Sequence, residues 1–317
     1  MNTGFGSMAL AIDFHKLMLE ERKKLRNRLS NEGTDRAAQI SSSSPMARAT
    51  AAPLDVHYEL PCCPERPSFL GAAQQVADGS IHDVFHIPNF VSPAEEHELM
   101  RCVDGASAER WTHLRGRRLQ SLGGVPKAPP EMMSREPLPH WVQSICDALV
   151  TCGAFPVDTP PNHVLLNEYQ PGQGIDAHKD GPLYLDRVCI LSLNSQCAFE
   201  FIDDEPVRKP LVALLLPPRG VLVFTGDAYN KALHHVPARE EDDAAGLLRV
   251  DDGACNASTA REVSSGRQML RRGRRVSLTV RHVLRSQQAA DGFGNASFLA
   301  AVNARRVDLS LVLRREA

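Results

Sequence analysis

The order of predicted helices and strands indicates a mainly β, α+β fold of the double-stranded β-helix (jelly-roll) class. Two segments with helical periodicity come first, near residues 93–103 and 138–152, and a series of short strand-like runs follows them. Gly/Pro turns separate these runs, as expected for two layers of β-strands with supporting helices on the N-terminal side. The predicted strands cover 162–169, 187–194, 197–202, 211–216, 220–224, 233–237 and 275–284.

A strand and two helices are predicted to precede this β-region. Val84–Phe90 has the pattern of a strand, and it leads into Ser92, Pro93 and Glu95. These three residues supply an N-cap, a first-turn proline and a capping-box acid, so a helix should begin at Pro93. The second helix is predicted from an apolar face that consists of Leu138, Trp141, Val142, Ile145 and Leu149.

The chain divides into an N-terminal extension, 1–79, a folded domain, 80–286, and a C-terminal tail, 287–317. Within the extension, 8–29 is predicted as an amphipathic helix and 30–55 as a disordered linker of low hydrophobicity. The helix is either a docking site for a protein partner or an inert solvated helix. Its acidic residues argue against a mitochondrial transit peptide.

An acidic segment interrupts the domain at residues 238–272, with Glu240–Asp243 and Asp251–Asp252 as its charged clusters. It falls between the predicted last metal ligand and the last strand. We therefore expect a flexible surface insertion there.

Composition excludes some classes of protein. The 317 residues are 43% hydrophobic and 23% charged, with a net charge of −2, and they contain no apolar run long enough to span a membrane. Near-neutral charge gives no global argument for nucleic acid, which would need a local basic patch. The eight cysteines form no C-x-x-C pair, which argues against structural zinc. We expect an intracellular monomer, in the cytoplasm or the nucleus or both.

A candidate metal site begins with His178 and Asp180. Alternate residues of an extended strand point to the same face, so an imidazole and a carboxylate can lie side by side. A third ligand, His234 or His235, follows the apolar run Leu222–Phe224. Two histidines and one carboxylate on one face of a metal form the facial triad of non-haem Fe(II) oxygenases.

Two further motifs flank the metal motif in a fixed order. Asn167 and Tyr169 end an apolar strand upstream, and Arg275 begins a strand far downstream. Alternate members of the later strand share one face: Arg275, Ser277, Thr279 and Arg281. An arginine there can hold the remote carboxylate of a 2-oxoacid, because its planar charged fork matches that group.

Together these stretches resemble the AlkB-type Fe(II)/2-oxoglutarate-dependent dioxygenases and, within them, the branch of AlkB homologue six. The resemblance spans roughly residues 82–284 and neither tail. It is carried by 111–120 with Gly123–Gly124, 162–169, 180–184 and 275–281.

The resemblance implies a role for each site residue. His178, Asp180 and His234 would bind Fe(II), with His234 chosen because Ala232–Leu233 precede it as in the family. The cosubstrates would be 2-oxoglutarate and O2. The implied 2-oxoglutarate contacts are Asn167, Tyr169 and Arg275, with Thr279 and Arg281 on the same strand face.

The implied substrate is alkylated nucleic acid, which would be oxidatively demethylated or hydroxylated. Trp111, Arg115, Arg117 and Arg118 occupy the place of the family's substrate lid and offer basic and aromatic contacts. Two alternatives remain open: a hydroxylase or demethylase of a protein delivered by helix 8–29, and a catalytically silent metal-binding jelly roll that mediates interactions.

Overall fold

The helices begin and end close to the predicted positions. The computed structural model describes residues 58–61, 66–69, 76, 81–250, 260–262 and 268–288. Helix α1 spans Pro93–Asp104, α2 His140–Thr151 and the short α3 Gly226–Asn230. The capping box is present, since the Ser92 side chain accepts from the Glu95 backbone and the Glu95 side chain accepts from the Ser92 backbone. None of the described helices is long and apolar enough to cross a membrane.

All seven strands predicted after the helices are present. To the predicted set the structure adds the strand that carries His178, a hairpin and a short strand between α1 and α2, and short strands within and after the acidic segment. In chain order the strands are β1 Val84–Ile87, β2 Thr112–Leu114, β3 Arg117–Leu122, β4 Met133–Arg135, β5 His163–Tyr169, β6 Ile175–His178, β7 Arg187–Leu193, β8 Cys197–Ile202, β9 Pro210–Leu216, β10 Val221–Thr225, β11 Leu233–Val236, β12 Glu241–Asp243, β13 Leu248–Arg249, β14 Ala260–Glu262, β15 Gln268–Arg271, β16 Arg275–Arg281 and β17 Ser286–Gln288.

Two sheets face each other across an apolar layer. The major sheet has the order β1-β10-β7-β16-β5-β3-β2, and the minor sheet has the order β13-β9-β8-β11-β6. One buried cluster contains Ile190 and Phe224 of the major sheet together with Phe199, Phe201 and Leu214 of the minor sheet. The mainly β, jelly-roll architecture with N-terminal supporting helices is thereby confirmed.

The helices cover the other face of the major sheet. A second buried cluster joins Leu99 of α1 and Ile145 of α2 to Leu166, Leu191 and Leu278 on three strands. The central strands of this sheet are therefore apolar on the face that packs against the helices. Their polar site residues lie on the opposite face, which points toward the minor sheet.

Part of the predicted N-terminal extension packs on the domain. Arg66 forms an ion pair with Glu95 of α1 at 2.7 Å, and the Phe69 backbone donates to the Cys152 carbonyl at 2.8 Å. Leu60 is buried in the helix-side cluster. The predicted helix 8–29 and linker 30–55 lie outside the described residues, and so does the tail after Gln288.

The two ends of the acidic segment belong to the fold. Strands β12, β15 and β14 form a small sheet, in which Asp242 is fully buried and pairs with Arg272 through two hydrogen bonds of 2.6 Å. Asp242 also accepts from the Ala198 backbone, and Arg272 donates to the Pro237 carbonyl. The predicted surface segment therefore forms regular strands at its ends, anchored by a buried ion pair, although most side chains of 238–248 are exposed or partly exposed. Its flexibility stays a prediction, and residues 251–259 and 263–267 lie outside the described part.

We expect Asp242→Asn to lower the free energy of unfolding by about 3–5 kcal/mol, because it leaves the Arg272 charge buried without a counter-ion. Urea unfolding measures the change. The double substitution Asp242→Leu with Arg272→Met removes both charges, so it should cost far less. Equal losses in the single and double variants would show that the ion pair is not what holds these ends together.

Candidate active site

The three predicted metal ligands meet between the sheets. Strands β6 and β11 are antiparallel, and His178 and His234 are direct partners across them, so their side chains share one face. Their ring centroids are 4.4 Å apart. Asp180 follows β6, with Oδ2 3.9 Å from Nε2 of His234. The ligand atoms of all three residues lie within 4.8 Å of one another.

His235 lies on the opposite face of β11. Its Nε2 is 3.0 Å from Glu200 Oε2, outside the cluster. The alternation of side chains along the strand thus assigns the third position to His234, as the sequence predicts.

Both histidines of the cluster are neutral and suited to a metal. Nδ1 of His178 lies 2.8 Å from the Asp176 carbonyl, which can only accept, so Nδ1 carries the hydrogen and Nε2 keeps a free lone pair. Burial lowers the pKa of His178. Burial and the neighbouring His178 ring lower the pKa of His234 to about 3.

Asp180 presents one free oxygen to the same space. Its Oδ1 accepts a hydrogen bond from Arg281, whereas Oδ2 is buried and has no hydrogen-bond partner among the described residues. Burial opposes ionisation of this carboxyl, but the Arg281 guanidinium, together with the His234 and His178 rings, holds its pKa below the usual value. A buried carboxylate oxygen without a donor is costly, and a cation bound by Oδ2 and two imidazoles would satisfy it. The donor set fits Fe(II).

A pocket extends from this cluster along the inner face of β16. Arg275, Ser277, Thr279 and Arg281 all line it, which confirms the predicted shared face. The remaining lining side chains are Leu165, Asn167, Tyr169, Ile175, His178, Asp180, Ile190, Phe199, His234 and Val236. The pocket lining therefore combines charged and polar groups along β16 with apolar side chains from β5, β7 and β8.

Arg275 closes the end away from the metal cluster. It is 3% exposed, donates to Ser192 Oγ at 2.8 Å and lies 5.6 Å from the centre of the Tyr169 ring. Its Nε has no partner, and no carboxylate in the described part of the chain forms an ion pair with it. A buried positive charge without a counter-ion is unfavourable, so this end of the pocket is suited to an anion.

Asn167 and Arg117 form part of the same end. Asn167 Oδ1 accepts from Arg117 Nε at 3.0 Å, and Arg117 is buried. Arg117 thus fixes the orientation of an amide in the pocket wall. Burial raises the pKa of the neighbouring Tyr169, so its phenol stays neutral and available as a hydrogen-bond donor.

The prediction of a basic substrate lid is wrong for Trp111, Arg117 and Arg118. Arg118 makes two hydrogen bonds to Glu168, at 2.9 and 2.8 Å, and stacks 4.1 Å from the centre of the buried Trp111 ring. These contacts hold the hairpin β2–β3 against β5. A basic pattern in sequence cannot reveal them, because the partner Glu168 is 50 residues away.

Arg115 is the exposed member of the predicted lid. It lies in the β2–β3 turn beside Gly116, where a Cβ atom would come within 2.7 Å of the Gly174 carbonyl. A Cβ on Gly174 would in turn come within 2.2 Å of the Val236 carbonyl. The β2–β3 turn that carries Arg115 thus packs against the residue before β6, and that residue packs against Val236 of β11, which lines the pocket.

Three residues near the site were not predicted as site residues from the sequence. Ser192, which binds Arg275, is a polar residue inside the apolar strand β7, and that isolated polarity was a usable signal. Tyr184 lies 4.3 Å from the Arg281 guanidinium, and His163 is the cross-strand partner of Arg281. Neither spacing nor periodicity predicts these last two contacts.

Comparison with known proteins places this geometry in a family. Residues 83–281 match the 2OG-Fe(II) oxygenase superfamily. A Danio rerio protein named "Probable RNA/DNA demethylase ALKBH6" is 36% identical over 213 residues, which cover 63% of this chain and 85% of the relative. The Arabidopsis thaliana "Alkylated DNA repair protein ALKBH8 homolog" is 27% identical over 231 residues, 64% of this chain and 59% of that protein.

The match covers more than half of the chain and includes every residue of the metal cluster and the pocket. The chain therefore belongs to the 2OG-Fe(II) oxygenase superfamily, as a dioxygenase of the AlkB type.

Proposed function

We propose that this protein uses Fe(II), 2-oxoglutarate and O2 to demethylate or hydroxylate alkylated nucleic acid. One observation carries the proposal. The buried cluster of His178, Asp180 and His234 lies at one end of a pocket, and the unpaired guanidinium of Arg275 lies at the other. A metal and the far carboxylate of a dicarboxylic acid would satisfy both ends at once.

The metal would be held by His178 Nε2, Asp180 Oδ2 and His234. Fe(II) bound there supplies the activation of O2 and the oxidative decarboxylation of 2-oxoglutarate that the protein itself cannot perform. The Asp176 carbonyl fixes the tautomer of His178, and Arg281 fixes the rotation of the Asp180 carboxylate. These outer contacts pre-orient the ligands before metal arrives.

The pocket matches 2-oxoglutarate along its length. Arg275 offers a charged fork to the remote carboxylate, and Tyr169 and Asn167 add hydrogen-bonding groups beside it. Leu165, Ile190 and Phe199 supply the lining with apolar side chains against which the methylene groups would pack. The overall reaction converts 2-oxoglutarate, O2 and a substrate C–H bond into succinate, CO2 and a C–OH group. An oxidised N-methyl group then leaves as formaldehyde.

Two observations support a nucleic-acid substrate. The zebrafish relative is named as a probable RNA/DNA demethylase. In addition, Arg115 lies in the turn that packs against the residue before β6, is exposed and has no ion pair among the described residues. Arg110, just before β2, is likewise exposed and unpaired there. Exposed, unpaired guanidinium groups are suited to the phosphates of a strand whose base enters the pocket.

Replacing a metal ligand should abolish both metal binding and turnover. We expect His178→Ala and Asp180→Ala to lower Co(II) affinity and succinate formation by at least about 100-fold, since even outer-shell changes cost 10- to 100-fold. His235→Ala is the matched control, because its imidazole pairs with Glu200 outside the cluster. Wild-type turnover in His178→Ala would contradict the assignment.

Replacing Arg275 should weaken the binding of 2-oxoglutarate. Arg275→Lys keeps the charge but loses the fork, so we expect KM for 2-oxoglutarate to rise roughly 10- to 100-fold, with a smaller change in kcat. Steady-state kinetics at saturating Fe(II) measure both constants. Arg271→Lys is the control, since Arg271 is exposed and pairs with Glu241. An unchanged KM in Arg275→Lys would place the cosubstrate elsewhere.

The contribution of Arg115 to nucleic-acid binding is measurable by a salt series. We expect Arg115→Glu to weaken oligonucleotide binding and to reduce the slope of log affinity against log salt by roughly one. Arg101→Glu on α1 is the control for net charge, because Arg101 is exposed and pairs with Glu98. If both variants lower the oligonucleotide affinity equally, the surface around Arg115 is not the binding surface.

A further inference from the structure

Arg281 is a buried guanidinium that holds one metal ligand. It is 5% exposed, and its terminal nitrogen donates to Oδ1 of Asp180. The ring of Tyr184 lies 4.3 Å from the guanidinium carbon, and His163 is its direct partner on β5. We call His163 and Tyr184 the Arg281 cage.

The hydrogen bonds of Ser121 fix the tautomer of His163. The Ser121 hydroxyl lies 2.9 Å from the Gly124 carbonyl, which can only accept, so the hydroxyl hydrogen points there. Ser121 Oγ must then accept from Nε2 of His163, 3.0 Å away. His163 Nδ1 is left as a bare acceptor, buried and without a partner among the described residues.

The cross-strand partner of His163 carries an unpaired donor. Nε of Arg281 is likewise buried and lacks a partner in the described part of the chain. Burial, and secondarily the charge of Arg281, keep the pKa of His163 well below its usual value, so the ring stays neutral. A neutral His163 imidazole with a free lone pair stabilises the neighbouring Arg281 guanidinium, whereas a charged imidazolium would repel it.

Tyr184 restrains the guanidinium from another side. It is buried, and its backbone bridges to Val283 on the chain that follows Arg281. The face of an aromatic ring attracts a guanidinium, most strongly where water is excluded. The ring therefore limits the rotation of Arg281 about its own long axis.

The consequence concerns the second oxygen of Asp180. An arginine that is free to turn pairs with a carboxylate through two parallel hydrogen bonds, which would occupy both oxygens. In the structure only Oδ1 is bonded to Arg281, and Oδ2 stays free beside His234.

We propose that His163 and Tyr184 are positioning residues for metal binding, because the Arg281 cage stops Arg281 from taking both oxygens of Asp180. The inference rests on the proposed metal site and extends it to two residues that touch neither metal nor cosubstrate. Loss of the cage should lower metal affinity even though every ligand remains.

Titration of the apo protein with Co(II), followed by visible absorption, tests the proposal alongside urea unfolding of each variant. We expect His163→Phe and Tyr184→Leu to weaken Co(II) binding about 10- to 100-fold. Tyr184→Phe keeps the ring and should bind like the wild type. His163→Asn places an amide near the position of Nδ1 and should recover most of the affinity lost in His163→Phe.

His86→Phe is the matched control, because His86 is also buried on the major sheet with an unpartnered Nδ1 but lies outside the pocket. It should lose stability and keep its Co(II) affinity. Folded Tyr184→Leu or His163→Phe with wild-type affinity would overturn the proposal, and if His163→Phe fails to fold, Tyr184→Leu decides alone. A wild-type protein that binds no Co(II) would instead refute the metal site itself.

Discussion

The register between β6 and β11 is the constraint on which the site depends. His178 and His234 face each other across these two strands, and only this register brings both imidazoles into the space beside Asp180. A slip of one residue would reverse every side chain of β11 and present His235 in place of His234. Phe199 helps to fix the register, because its ring stacks on His234 with centroids 5.7 Å apart and planes at 13°.

The inner face of β16 complements the metal cluster with two buried guanidinium groups. Arg281 is neutralised by Asp180, whereas Arg275 has no anionic partner in the described residues. One arginine is therefore part of the protein's own structure, and the other is left for a ligand. Both strands next to β16 contribute to this arrangement, β5 through Tyr169 and Asn167 and β7 through Ser192. Arg275 and its polar surroundings therefore come from the central strand of the major sheet and its two neighbours.

The ends of the acidic segment connect to the same elements. Asp242 and Arg272 link the residues after β11 to those before β16, so one buried ion pair joins the segment that follows His234 to the segment that precedes Arg275.

Sequence patterns predicted the fold class because it depends on local periodicity, and the strand carrying Arg275 places its residues on one face by simple alternation. His178 and Asp180 do lie together with His234, but β6 ends at His178 and Asp180 follows it, so strand alternation alone does not place the carboxylate. Arg117 and Arg118 were predicted wrongly, since their roles depend on Asn167 and Glu168 at long sequence separation. The roles of Tyr184 and His163 were not predicted for the same reason. Both residues meet Arg281 only after three distant segments of the chain have packed together.

The most direct test of this account is a crystal structure with Mn(II) and 2-oxoglutarate, using anomalous scattering to locate the metal. The account predicts one anomalous peak within bonding distance of His178 Nε2, Asp180 Oδ2 and His234, with the remote carboxylate of 2-oxoglutarate on Arg275. A peak elsewhere, or a cosubstrate carboxylate that does not contact Arg275, would contradict it.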